Sequence, residues 1–438
     1  MPTKRTPKVA DWTVMVFLNA KNNLEQFSFL NWDQMAKVGS TDRVNVLVEF
    51  GRPRRHYSDQ YGAWSKTLRF RVAKGMKPTQ ARALEDLGQV NMGAGSALAD
   101  FVTWGRTNYP AEKTMLALWD HGQGWRRAQE LTLRASAADL GRVARGRQAA
   151  RQRLGDAVGS IEPLPDDQTI HGAFRYVSHD EDTGDKLYNR EIQDALADLT
   201  RDEKIDVIGF DACLMSMLET AYALRKAGSV MVGSEELEPG DGWSYDGFLK
   251  PLAADPAAFD AAALGTRMVA AYRDYYGDRD ATTMAATDLT KVEKAARALS
   301  RFATEATTHL DDHLPVLKRA RKACENYAPG YGLNSIDLAR LLDQVAAAPA
   351  VAPALAKRAT AARAALDDAV IDSWASAQRQ GRFGSHGLAI YFPASKLAYD
   401  NDPDRDGYAL GNANYPVEFV DREKWGKFLH SYFDRVTR

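Results

Sequence analysis

A chain of 438 residues, 45% hydrophobic and 26% charged, can bury a sizeable core and fits two globular domains better than one. Lys plus Arg number 57 against 58 Asp plus Glu, so no global field recruits a polyanion. The two cysteines, Cys213 and Cys324, are too few for a disulfide framework and lack metal-ligand spacing. No apolar run is long enough to span a membrane. The opening MPTKRTPKVADW lacks the apolar core of a signal peptide, which leaves the cytoplasm or an exported protein whose signal is not part of this chain.

Residues 12–18, WTVMVFL, read as a first buried strand, followed by a polar turn Asn19-Ala20-Lys21-Asn22-Asn23 and a helix over 24–38. VNVLVEF at 44–50 makes a second strand, and TLRFRVA at 67–73 a shorter, more exposed third. Gly93-Ala94-Gly95 leads into a helix over 97–106, but Leu98 stands at the third glycine position of a dinucleotide fingerprint, so that motif is discarded. The apolar strand 114–119 ends in Asp120-His121-Gly122. Strands alternating with helices spell a mostly parallel sheet covered on both faces, an α/β fold.

Residues 126–170 are rich in arginine, including Arg134, Arg142, Arg145, Arg147, Arg151 and Arg153, with little acid to offset them. The segment reads as a solvated, partly helical insertion and a good target for proteolytic nicking. Without interleaved aromatics it is weak support for nucleic-acid binding, which is not expected. An acidic turn at 176–186 precedes a helix over 187–199. A buried strand over 205–210 and a helix ending at Gly228 then flank Cys213. A short strand at 230–233 delivers Ser234 and Glu235 to a strand end, where they should face the cleft. From Pro256 the chain turns helical, roughly over 256–275, 290–308, 312–326, 335–347 and 353–380, with strand signals at 283–287 and 387–392. His386-Gly387 is a rival His-Gly pair, but it precedes its strand. Asp402, Asp404, Asp406 and Gly407 match the first half of a calcium loop. Ala413 stands where the bidentate glutamate belongs, so a surface turn is preferred, with calcium the alternative.

The chemistry concentrates at two turns. A thiol at a helix N-terminus is biased toward thiolate, which would make Cys213 a nucleophile. His121 ends a neighbouring strand and can act as general base and acid. The backbone N–H groups of Gly122 and Cys213 would cradle an oxyanion. The plainer readings are a small buried Cys213 and a core His121 paired with Asp120.

WTVMVFL…NNLE, LALWDHGQGW, VIGFDACLMS, GSEELEPGDGWSY and GLAIYFP, in that order, resemble clostripain-like cysteine peptidases of the caspase–gingipain–legumain group, over roughly residues 10–430. The resemblance implies a caspase-like α/β/α sandwich with a largely helical C-terminal region. With the composition shift at Pro256, the chain divides into a peptidase domain, 10–255, with 126–170 as insertion and activation segment, and a helical region 256–438 expected to return a strand at 387–392 to the sheet. The resemblance implies a cysteine endopeptidase acting on proteins or peptides after Arg, less readily after Lys, through a His121/Cys213 dyad. No cofactor is required, although some relatives need calcium. Asp211, two residues before the nucleophile, would belong to the pocket for the basic side chain, with Ser234 and Glu235 on its wall. Some relatives activate by self-cleavage between the His and the Cys, here within the arginine-rich segment. Lys21 departs from the acidic residue often found in the first turn of relatives. The rival readings are a catalytically silent protein of this fold and a nucleic-acid binder.

Overall fold

The structure is a computed structural model describing residues 9–122, 176–328, 334–380, 384–402, 405 and 418–436. Its centre is a nine-stranded sheet. In chain order its strands are β1 (Ala10–Asn19), β2 (Val44–Gly51), β3 (Thr67–Arg71), β4 (Glu85–Gly88) and β5 (Ala111–Trp119). A separate hairpin follows, β6 (Tyr176–Asp180) with β7 (Asp185–Tyr188), before β8 (Ile205–Asp211), β9 (Gly228–Gly233) and β10 (Thr283–Asp288). β11 (Ser335–Asp337), β12 (Val370–Ala375) and β13 (Ala389–Tyr391) complete the set. The spatial order β12-β10-β9-β8-β5-β1-β2-β3-β4 places a parallel five-strand centre, β9-β8-β5-β1-β2, between antiparallel edges.

The central strands are apolar along their whole length because both faces are covered. On β1, Val14, Val16 and Leu18 join one core, while Met15 and Phe17 join the other, as the two-residue side-chain period requires. The first core is closed by helices α1 (Glu25–Val38), α5 (Tyr245–Ala254) and α6 (Ala261–Tyr276). The second is closed by α2 (Gly95–Asn108), α3 (Asn189–Ala197), α4 (Leu218–Leu224) and α7 (Val292–Thr308), backed by α8 (Leu310–Lys322), α9 (Leu338–Ala346), α10 (Pro353–Ala369) and α11 (Trp425–Arg435). None of the described helices is long and apolar enough to cross a membrane.

Three expectations change. β3 is buried rather than exposed, because Leu68 and Phe70 enter the first core while Arg69 pairs with the buried Glu49 on the other face. The expected helix 353–380 stops at Ala369, and its tail becomes the edge strand β12 beside β10. The GLAIYF segment does not return to the central sheet. Its β13 pairs with β11, and an isolated bridge from Ala389 to Met217 ties it toward the sheet.

Candidate active site

The sheet register sets the site. β5 and β8 run parallel with Trp119 opposite Asp211, so His121 and Cys213 each lie two residues beyond one register pair at the carboxyl edge. β1 is flanked by β5 on one side and β2 on the other, and the turn after it reaches the same edge. A crevice of this kind is where open α/β sheets collect ligands. Here it is a cavity partly open to solvent, lined by Trp119, Asp120, His121, Asp211, Cys213 and Glu238, with flanking residues.

Gly122 is the close-approach residue. A Cβ built on it would lie 2.2 Å from the Cys213 carbonyl oxygen and 2.4 Å from the Cys213 nitrogen. Only glycine lets the two strand ends close to this separation. On the other side of its turn, Asp120 is buried and saturated. Its Oδ1 accepts the Asn22 side-chain amide at 2.6 Å and the His121 backbone N–H at 2.5 Å; its Oδ2 accepts Asn19 Nδ2 at 3.1 Å and the His179 N–H at 2.5 Å. Asp120 therefore fixes the backbone of the turn and not the imidazole.

His121 is buried, and its Nε2 lies 2.6 Å from Asn23 Oδ1. An amide oxygen only accepts, so Nε2 carries the proton and Nδ1 is the basic nitrogen. Burial, with a smaller contribution from His179, lowers the His121 pKa to about 3. The imidazole is therefore neutral across the physiological range, as a general base must be.

Cys213 is half-buried and free. It does not begin a helix, contrary to the sequence pattern. Leu214 takes a left-handed backbone, φ 62°, and its N–H donates to the Glu236 carbonyl at 3.1 Å. The Ser216 N–H donates to Ser234 at 2.9 Å, and the Ser216 carbonyl accepts from Ala389 at 3.0 Å. These pairings spend the groups that would have opened a helix, and α4 starts only at Leu218. The thiol thus lacks a helix dipole, and burial pushes its pKa up to about 12. The Glu238 backbone clasps it, donating its N–H to Sγ at 3.3 Å and presenting its carbonyl at 3.7 Å. Cys213 and His121 both rest neutral.

Beneath the thiol, Asp211 accepts the Trp243 N–H on Oδ1 at 3.1 Å, and burial raises its pKa to about 7. Glu238 is pushed well above the ordinary carboxylate range by burial and by Asp211 beside it. Trp243 reaches this place because residue 209 has no Cβ, which would meet the indole at 2.5 Å.

Ser234 and Glu235 do not line the cavity. β10 pairs with the end of β9, so that end is covered rather than open. Ser234 Oγ and the Glu235 N–H both meet Thr283 Oγ1 at 2.9 Å, and Glu235 Oε2 accepts the Gly387 N–H at 2.9 Å. His386 is held by Asp337 at 3.0 Å, away from the cavity lining, and Cys324 is buried in the second core. Sequence reasoning missed Asn23, seen only as part of a polar turn, and Glu238, one of several acids in SEELEPGDGW. Arg134, Arg142, Arg145, Arg147, Arg151 and Arg153 of the 126–170 segment, Asp404 and Asp406 lie outside the described residues. Asp402 accepts the Asn334 side-chain amide. Among the described residues no group of three or more His, Cys, Asp or Glu gathers that could hold a metal ion.

The clostripain family model matches residues 16–143 and 164–430. Clostripain from Hathewaya histolytica is 22% identical over 500 residues, covering 97% of this chain and 87% of the relative. Two solved structures share the fold. A secreted C11 cysteine protease from Bacteroides thetaiotaomicron, in complex with an irreversible peptide inhibitor, superposes with a TM-score of 0.58 at 17% identity, over 94% of this chain and 98% of that one. An inactive zymogen C11 protease from Parabacteroides distasonis does so at 0.54 and 15%, over 99% and 100%.

Proposed function

This chain belongs to the clostripain family of cysteine proteases, with a mostly parallel α/β fold and peptide or protein substrates, and from that premise we propose an endopeptidase cleaving after Arg, less readily after Lys. The observation that carries it is Gly122 packed against the Cys213 backbone beside His121, with Asp211 lining the same cavity. Cys213 Sγ attacks the scissile carbonyl carbon and its proton passes to His121 Nδ1. The N–H groups of Gly122 and Cys213 hold the oxyanion, and His121 returns the proton to the leaving amine as the C–N bond breaks. Water then hydrolyses the thioester on Cys213 with His121 as base, and no cofactor enters. The burial that holds both groups neutral at rest favours transfer of the thiol proton together with attack, rather than a standing ion pair. Asp211 supplies the charge for a basic side chain.

The activation reading is that the enzyme cuts itself after one or more of Arg134, Arg142, Arg145, Arg147, Arg151 and Arg153. The arginine-rich segment joins the strand that leads to His121 with the part of the chain that leads to Cys213, and the Glu238 clasp on the thiol suits a resting form. The fragments would stay associated, since β5 and β8 are paired in one sheet. The test is a fluorogenic panel with Arg, Lys, Asp and Asn before the cleaved bond, run beside N-terminal sequencing of wild type and Cys213→Ala. Equal cleavage of Asp and Arg peptides overturns the specificity. A wild type that stays one chain yet cleaves Arg peptides at full rate overturns only the activation.

A further inference from the structure

Buried polar atoms in folded proteins are almost always satisfied. Next to Cys213 that rule fails several times in one place. Asp211 Oδ2 on β8, both carboxylate oxygens of Glu238 on the loop after β9, and the Trp243 indole N–H are buried and find no hydrogen-bond partner outside their own cluster. So are the hydroxyls of Tyr245 on α5 and Tyr272 on α6. Tyr245 and Glu238 stand close enough to Asp211 to act on its ionisation, and Glu238 and Asp211 both act on Tyr272, so these groups surround one point. Asp211 and Glu238 also line the cavity that holds the thiol. Among the described residues, neither carboxyl is paired with a Lys or Arg.

We propose that Glu238 is a second specificity-determining residue, forming with Asp211 a two-carboxylate receptor for the guanidinium of the residue before the scissile bond. The proposal rests on the reading that the enzyme cleaves after basic residues, and it adds to that reading what makes Arg the better substrate. A guanidinium offers five N–H donors in a rigid plane, enough to serve three carboxylate oxygens that no cation of the protein serves, from two directions. An ammonium offers three donors at one point and satisfies the same set less completely. The residue's position also matters. Its backbone holds the Cys213 sulfur while its carboxyl faces Asp211, so the group that senses the substrate cation sits on the segment touching the nucleophile.

The charge balance gives the proposal a pH signature. The titratable groups facing the two carboxyls are Cys213, Tyr245 and Tyr272, all raised by burial, with Tyr276 behind them and the low-pKa His121 across the cavity. Of the groups at this place the Asp211–Glu238 pair is the one a bound cation would ionise, with Asp211 raised to about 7; Asp120 across the cavity is also raised by burial but is held by four protein donors. Two buried carboxyls side by side retain a proton, and a guanidinium displaces it on binding. Productive binding of Arg therefore improves as the pair ionises, giving an acid limb on kcat/KM.

The experiment compares wild type, Glu238→Gln and Asp211→Asn on peptides ending in Arg, Lys or Gln before the cleaved bond, from pH 5 to 9. Glu238→Gln is isosteric and keeps the backbone clasp. It is expected to lose at least tenfold in kcat/KM on Arg, mostly in KM, to narrow the Arg-over-Lys preference, and to move the acid limb to lower pH. If wild type cleaves Arg peptides and Glu238→Gln matches it within twofold with an unchanged limb, the role of Glu238 is overturned and the specificity stands. If wild type prefers Gln to Arg and Lys, the specificity reading fails and the receptor with it.

Discussion

Asp120 and Asp211 sit at the ends of adjacent strands, both buried, each within two residues of a member of the dyad. Their surroundings are opposite. Asp120 accepts four hydrogen bonds, from the end of β1 and the turn after it, from β6 and from its own neighbour His121, whereas Asp211 accepts one backbone N–H and otherwise meets only Tyr245 and Glu238. A carboxylate saturated by backbone and amide donors has nothing left to offer a ligand, and its free energy is spent on shape. One left under-satisfied costs stability in the empty protein and recovers it when a cation arrives. The contrast separates the scaffold of the site from its receptor.

The largest effect is at the dyad that both carboxylates flank. Cys213→Ala and His121→Ala are each expected to abolish peptide hydrolysis while leaving the melting temperature near that of wild type. Retained activity in Cys213→Ala, with Cys324→Ala dead instead, would move the nucleophile elsewhere.

Unfolding stability tells the two carboxylates apart. Asp120→Ala leaves the Asn19 and Asn22 amides and two backbone N–H groups facing a void, at a cost of about 3 kcal/mol or more. Asp211→Ala removes a buried carboxyl with few partners and is expected to be neutral or stabilising. Urea unfolding of the two variants measures the difference, and equal destabilisation would mean that Asp211 is as well satisfied as Asp120.

Much of this was legible in the sequence. The parallel centre is buried on both faces, so WTVMVFL, VNVLVEF, TMLALW and IDVIGF stand out as apolar runs, and the residues after them fall at the carboxyl edge by topology alone. The helix expected from Cys213 failed because 214–217 is tied to 234–236 and 389, and no local pattern records partners so distant in sequence. β12 was hidden behind the alanine-rich helix before it, with no Gly or Pro between them. Ser234 and Glu235 obeyed the strand-end rule in sequence, but β10 covers that end, and the chain reaches the cavity four residues later at Glu238. The receptor's aromatic groups come from α5, α6 and the loop before them, which sequence spacing does not connect to β8.

A smaller effect sharpens the contrast through pH. The Asp211 carboxyl titrates near 4 in the unfolded chain and near 7 in the fold, so the folded form keeps a proton that the unfolded chain has released. Its contribution to stability is fully present below about pH 4 and is lost as pH rises to about 7. Wild type is therefore expected to lose more stability between pH 5 and 8 than the Asp211→Asn, Glu238→Gln double variant. Other buried acids such as Glu49, raised to about 7, act equally in both and cancel in the difference. Parallel pH profiles for the two proteins would show that the pair is already ionised in the empty pocket.

The smallest expected effect is that of calcium, and it returns to the saturated side of the site. In the turn after β6, Lys21 places its ammonium 3.3 Å from Asp180 Oδ2, with both side chains buried. The Met92 N–H donates to the same oxygen at 2.9 Å and the Thr183 N–H to Oδ1 at 3.2 Å. Asp182 accepts the Arg54 N–H at 3.0 Å, and Asp185 accepts the Asn91 amide at 2.6 Å. These three acids are each occupied by protein donors, and the cation among them belongs to the chain. A calcium site there would first have to displace a buried ammonium. Calcium at a hundredfold excess over its dissociation constant would add roughly 2.7 kcal/mol to stability, which thermal unfolding resolves easily. The expected outcome is no change in melting temperature or rate on adding calcium or a chelator. A rise with calcium that persists when Asp180 is replaced by Asn, and disappears in Asp404→Asn and Asp406→Asn, would instead locate a functional ion at the 402–407 turn.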